Sequence, residues 1–382
     1  MKKIFLMVAL AFVTIFAHAQ KSEVNSAYNH YVNGYLDKAK AAIDKAVLNE
    51  ITKNEARTWM YCGNIYLRLA EANNDEKSND REYMGLCSNC TEVAAEAFLK
   101  ANELEQNIIV SMAIRTPLKG LEYCAHYFYE TAFGLFQKKK YEEAFEMAAK
   151  AYKMNSKSDY IASFYAITAE AVQKLDIAKA RYSDLIKGKT KDMNTYLRLV
   201  NIYKFENDTA KLLKVMEDGA KLFFTADTIY ADFAVSYSIM LSWAGESQKA
   251  MEVMDKALEK DPTNYILLVN KGSELTNTGK YEEAEVHLKK AVELYPKDAL
   301  AVYNLGNCYY NNYVKKTKAL SDAPDDVYNK GMEDAKILLE QARPHLERAH
   351  ELDPNDKPTI TMLKTVYTYL DLKDELKALE EK

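Results

Sequence analysis

The amino-acid sequence predicts an all-α solenoid of about nine antiparallel helix hairpins, and three observations carry that expectation. The first is a recurrence: Ala250, Met254, Ala257 and Pro262 are followed 34 residues later by Ala284, Leu288, Ala291 and Pro296. The same steps of four, seven and twelve residues return at Ala342, Leu346, Ala349 and Pro354. The second is a matching stretch ahead of each set, Leu268 and Gly272 in one copy and Leu305, Gly306 and Tyr309 in the next. The third is composition: only 12 Gly and 7 Pro among 382 residues leave few breakers in a chain rich in helix formers.

The steps of four and seven put three residues on one stripe of a helix. Two of the three are Ala because a helix pressed between two neighbours has no room for larger side chains there. The prolines cannot continue a helix, so Leu258–Pro262 and Val292–Pro296 are stop signals. Gly245 and Gly279, each five residues before the Ala, suit a tight corner between antiparallel helices. A single hairpin cannot bury both faces, and stacking gives the units a common core.

Taken in order, the first hairpin pairs a helix around Ala27 and Tyr31 with one carrying Ala39, Ile43 and Ala46, joined at Gly34-Tyr35. The second opens with Trp59, Cys62, Gly63 and Tyr66 and continues at Ala94, Phe98 and Ala101, separated by a polar insertion near 71–90. An extra turn or short helix is expected over Asn107–Arg115. Thr116-Pro117, a cap followed by proline in the first turn, starts the third hairpin, which runs to Tyr141, Ala144, Ala148 and Ala151. The fourth carries Ala166, Ala169, Ala178, Tyr182 and Leu185; the fifth carries Tyr196, Val200, Tyr203, Leu212, Met216 and Gly219. The sixth to eighth are the strong copies. In the eighth, a second insertion near 311–335 containing Ser321–Asp326 predicts a lengthened first helix, a loop and a lengthened second helix. A polar unit from Lys357 to Lys382 suits a terminal cap.

The N-terminus has the form of a secretory signal: Met1-Lys2-Lys3, an apolar run from Ile4 to Ala17, then the small-x-small site Ala17-His18-Ala19. Cleavage is expected between Ala19 and Gln20, leaving a mature solenoid of residues 20–382. The opening looks bacterial, which points to the periplasm or exterior of a Gram-negative cell. Without residues 1–19, which hold two lysines and no acid, 49 basic residues face 56 acidic ones. That mild negative balance gives no support to nucleic-acid or anionic-membrane partners, and no stable membrane insertion is expected after cleavage.

Cys87-Ser88-Asn89-Cys90 is the sharpest local motif, open to a disulfide, a redox pair or half a metal site. No second pair completes a zinc set, no strand pattern supplies a redox-enzyme context, and no His follows Cys90 for haem attachment. His345 and His350 flank Glu347, but a spacing of five puts the imidazoles on different faces, which reads as a solvated surface. His126 and Glu130 make too small a set for a metal. Paired acids such as Glu142-Glu143 and Glu282-Glu283 open second helices, where the dipole favours them. No nucleophile elbow, phosphate loop or dinucleotide fingerprint is present. The expectation is no cofactor, no metal and no catalysis.

The quoted Ala–Leu–Ala–Pro sets and the Trp59–Tyr66 stretch resemble the tetratricopeptide repeat family. That resemblance implies a right-handed superhelix whose first helices line a concave groove for a protein or peptide. Mapped by register, it would present Tyr28, Tyr31, Arg57, Met60, Asn64 and Arg68. Further along come Tyr129, Phe133, Phe136, Tyr160 and Asn201, then Trp243, Tyr303, Asn307 and Tyr310. Rings and amides together suit an extended peptide, through apolar pockets and backbone hydrogen bonds; many such rings also pack between repeats. Some members clamp a C-terminal carboxylate, but Met60 stands where that clamp requires lysine, so it is not reproduced. The alternative function is glycan binding on exposed aromatic rings.

Overall fold

The computed structural model describes residues 22–74, 78–225 and 230–380. The signal segment and its cleavage site lie outside the described residues. The chain divides into two compact units, Met1–Thr190 and Lys191–Lys382. Among the described residues, the first unit holds four helix hairpins. They are α1 (residues 22–32) with α2 (Leu36–Leu48), α3 (Ala56–Asn74) with α4 (Cys90–Leu104), α5 (Pro117–Gln137) with α6 (Tyr141–Met154), and α7 (Asp159–Ala171) with α8 (Leu175–Lys187). The described residues of the second unit hold five: α9 (Met193–Phe205) with α10 (Thr209–Phe223), α11 (Ala231–Trp243) with α12 (Ser247–Lys260), and α13 (Tyr265–Asn277) with α14 (Tyr281–Leu294). It closes with α15 (Ala299–Lys318) and α16 (Asp325–Leu352), then α17 (Lys357–Tyr369) and α18 (Lys373–Glu380). Each unit is an α-solenoid of helix hairpins.

The recurrent small residues do what their spacing dictates. Ala250, Ala284, Leu288, Ala291, Ala342 and Leu346 are all fully buried. Opposite them the first helix must come close. A Cβ on Gly306 would lie 2.7 Å from Leu346, and one on Gly63 would lie 2.6 Å from Phe98. Both separations are below van der Waals contact, so a side chain at either position would push its hairpin open.

The corner rule proves more general than its glycines. Gly34, Gly245 and Gly279 have φ between 76° and 81° and stand five residues before Ala39, Ala250 and Ala284. The same offset before Ala144, Ala178, Leu212 and Leu376 falls on Lys139, Gln173, Asn207 and Asp371, all with φ between 57° and 60°. At Gly245, the next N–H closes the corner by donating to Leu241 O at 2.8 Å. The hairpins α3–α4 and α15–α16 instead join through the 71–90 insertion and through residues 319–324.

Connectors between hairpins are short. They are four residues long after α6, α12, α14 and α16 and five after α8. Residues 105–116, between α4 and α5, are an outlier at twelve. This stretch contains turns and bends but no helix, so of the two alternatives expected over Asn107–Arg115 it takes the turn. Its backbone bonds include both polar groups of Ile114 to Asn64, and Val110 N–H donating to Arg115 O at 3.0 Å.

Candidate partner-binding face

The face of each first helix turned away from its hairpin partner is where the register puts recognition. In the first unit it separates into two parts of different character. On α1 and α3, Tyr28 stacks on Tyr61 at 5.2 Å, and Arg57 Nε donates to the Tyr61 hydroxyl at 2.8 Å. Tyr31, Asn64 and Arg68 are engaged within the molecule. Asn64 is only 2% exposed: its Oδ1 accepts from Ile114 N–H at 2.8 Å and its Nδ2 donates to Ile114 O at 2.9 Å. Arg68 donates to both carboxylate oxygens of Asp80, at 2.6 and 2.8 Å, and to Tyr31 O at 3.1 Å. Those bonds raise its already high pKa and fix the guanidinium. Burial raises the Tyr31 pKa. The chain's own loops thus already engage polar groups of these three side chains. Met60 is fully buried beneath.

On α5 and α7 the predicted rings come together. Tyr129 stacks on Phe133 (6.4 Å) and meets Tyr160 edge-on (5.0 Å); Phe136 lies 5.7 Å from Phe164. Phe164, absent from the sequence expectation, is the floor, 8% exposed and in contact with Tyr129, Phe133 and Phe136. Its signal was its place four residues after Tyr160, on the same helix face. Phe133 and Tyr160 stand at the rim, 41% and 52% exposed. Burial raises the Tyr129 pKa, leaving a neutral phenol as donor and acceptor.

In the second unit, Asn201 is exposed on α9, and Lys204 from that helix lies 5.6 Å over the ring of Trp243 on α11. Tyr303, Asn307 and Tyr310 share one face of α15. The two tyrosines line a cavity of about 510 Å³ with Lys357, Thr361 and Thr365 of α17. Asn307 Oδ1 accepts from Asn311 at 2.6 Å. Burial raises both tyrosine pKa values.

Elsewhere the chemistry is structural. The sulfurs of Cys87 and Cys90 adjoin, with Cα atoms 5.4 Å apart, a separation a disulfide spans. Asn73 holds this turn, donating to Cys87 O at 2.7 Å and accepting from Gly85 N–H at 2.9 Å. Burial pushes the Cys62 and Cys124 thiols up to about 12, far from a reactive thiolate. His345 is not on a solvated face: it lies half-buried and parallel to the Tyr309 ring, 5.9 Å away, and Glu347 binds Arg343 and Tyr367. His126 and Glu130 form a 4.0 Å surface pair. Among the described residues no group of three or more His, Cys, Asp or Glu is arranged for a metal, and no helix is long and apolar enough to cross a membrane.

These faces belong to a repeating stack of helix hairpins. Comparison with known proteins gives the repeat its family. Residues 253–286 match the tetratricopeptide repeat model and residues 272–312 a second model described as a TPR repeat. Residues 253–312 therefore carry tetratricopeptide repeats. The chain is similar to the BBSome complex member BBS4 of Bos taurus, 24% identical over 250 residues, which cover 65% of this chain. The chain spans about half (46%) of that relative's length. Among solved structures it resembles the C-terminal part of a TPR repeat-containing protein from Cytophaga hutchinsonii, with 14% identity, a TM-score of 0.45 and coverage of 72% and 94% of the two chains. YrrB, a TPR protein described as having an unusual peptide-binding site, gives 18% identity, a TM-score of 0.41 and coverage of 57% and 97%.

Proposed function

We propose that this protein is an exported, non-catalytic scaffold that holds a protein or peptide partner on the aromatic face of α5 and α7. The observation that carries this reading is the ring cluster around Phe164. Its inner rings fix its geometry, while Phe133 and Tyr160 remain 41% and 52% exposed at the rim. Rings already ordered by packing lose little freedom when a partner docks, which is the condition for an aromatic anchor site. The Tyr129 and Tyr160 hydroxyls can serve partner backbone groups while the ring faces take apolar side chains.

The test is capture from periplasmic extract of the native host by the full mature chain, beside a Phe133→Ser/Tyr160→Ser variant. Both substituted residues are exposed, so the helices should melt as in the wild type. The reading expects a discrete protein retained by the wild type and lost by the variant. Equal retention by both, or retention of carbohydrate in place of protein, overturns it. Export is part of the proposal. The charged start, short apolar run and Ala17-His18-Ala19 site support a signal cleaved before Gln20. Mass spectrometry of the protein from the periplasmic fraction should give Gln20 as its first residue; a retained Met1 contradicts it.

A further inference from the structure

The connector of residues 105–116 is three times as long as the four-residue connectors that serve four other junctions. The added length does not hang free. Val110 and Met112 are 5% and 8% exposed, packed into the core cluster that contains Tyr31, Met60 and Tyr61. Asn64 grips the backbone of Ile114 through donor and acceptor together, at 2.9 and 2.8 Å, while its Nδ2 also donates to Met60 O at 2.9 Å. The Ala113 backbone lies at the Tyr31 hydroxyl. The loop is self-closed by the bond from Val110 N–H to Arg115 O. A side-chain amide reading both polar groups of one residue's backbone, beside a core that buries apolar side chains, is a peptide-binding arrangement. Here its occupant is the chain itself.

We infer that residues 105–116 are a tethered plug. They fill a peptide-binding site on the α1–α3 face and keep it closed to other chains until the plug is withdrawn. The site takes an apolar segment, held by one backbone clamp at Asn64 and by burial of its side chains in the core cluster of α1 and α3. It is separate from the α5–α7 cluster, and each reading can fail without the other.

Two experiments decide it. The first uses the full chain with residues 107–114 deleted, which leaves the four-residue connector that suffices elsewhere. The probe is a fluorescein-labelled peptide copying residues 107–116. The plug predicts at least a tenfold tighter Kd for the deletion variant than for the wild type, and loss of that gain on adding Asn64→Ala. Equal binding by both chains, or no binding by a deletion variant whose helices melt normally, overturns it. The second needs no variant: hydrogen exchange of the intact chain. A plug opens locally, so amides of 108–115 should exchange at least tenfold faster than the central amides of α3 and α4, and slower than a free peptide of that sequence. Exchange as slow as in those helices makes the loop an integral part of the fold, and free-peptide rates mean that no plug is seated; either contradicts the inference.

Discussion

Hairpins α3–α4 and α13–α14 are built on one mechanical plan and differ in what they leave open. In both, glycine on the first helix faces a large side chain on the second, Gly63 against Phe98 and Gly272 against Leu288. In both, alanines flank that residue, Ala94 and Ala101 in one and Ala284 and Ala291 in the other, all fully buried. Around α13–α14 the corner is a single left-handed glycine, the next connector has four residues, and Ile266 on the first helix is 51% exposed. Around α3–α4 the corner is the 71–90 insertion and the next connector has twelve residues, and both fold back to hold Arg68 and Asn64. Core register and ligand face are thus independent: a repeat can keep its packing and lose its open surface.

The strongest way to break the shared plan is to empty its core. Phe98 fills the space between Gly63 and Gly120, so Phe98→Ala should cost about 3–5 kcal/mol in urea unfolding followed by circular dichroism. A cost near zero would mean that this hairpin does not rely on that contact. Next comes overfilling: Ala284→Phe or Ala291→Phe should separate α14 from its neighbours and cost about 1–3 kcal/mol. A thermal melt unchanged by either sinks the register.

The corners sharpen the comparison through opposite signs. A residue with a Cβ pays roughly 1–2 kcal/mol in the left-handed region, whereas glycine pays about 0.5–1 kcal/mol in unfolded-state entropy. The steric term wins, so Gly279→Ala should destabilise by about 1 kcal/mol and Lys139→Gly should stabilise by about 0.5 kcal/mol. Both shifts are readable as changes in Tm, and a shared sign would contradict a common corner conformation.

The smallest effect is electrostatic. Burial, and then Lys289, lower the pKa of His345, with Glu285 opposing them. A folded-state pKa below the unfolded value of about 6.5 means that the unfolded chain binds the proton more readily. This contribution is therefore intact above that value and is lost as pH falls through the lower, folded pKa. His345→Gln should flatten part of the decline in Tm between pH 7 and pH 5. The same decline in both chains would remove His345 from the account.

Much of this was legible in the sequence. The steps of four, seven and twelve residues fixed which side chains of α12, α14 and α16 face inward, because helical periodicity converts spacing directly into direction. Tyr129, Phe133, Phe136 and Tyr160 were also readable as one face, since α5 and α7 are neighbouring first helices. What spacing could not convey was the path of irregular backbone. Asn64 and Arg68 sit at register positions for a ligand, yet Ile114 and Asp80, 50 and 12 residues away, claim them. No helical period encodes such contacts. The available hints were an overlong connector rich in Ile, Val and Met, and an acidic residue in the insertion. Non-glycine corners were hidden for a related reason: a repeat under tertiary constraint imposes a left-handed conformation on Lys139 or Gln173 that local preference does not announce.

The most direct test of the account is site-specific photo-crosslinking in the native host. A benzophenone side chain would replace Phe133 or Tyr160 on the open face, and Glu146, exposed on the second helix of the α5–α6 hairpin, as the control. The account predicts a discrete protein adduct from positions 133 and 160 and none from 146. No adduct from the two rim positions, or equal adducts from all three, would contradict it.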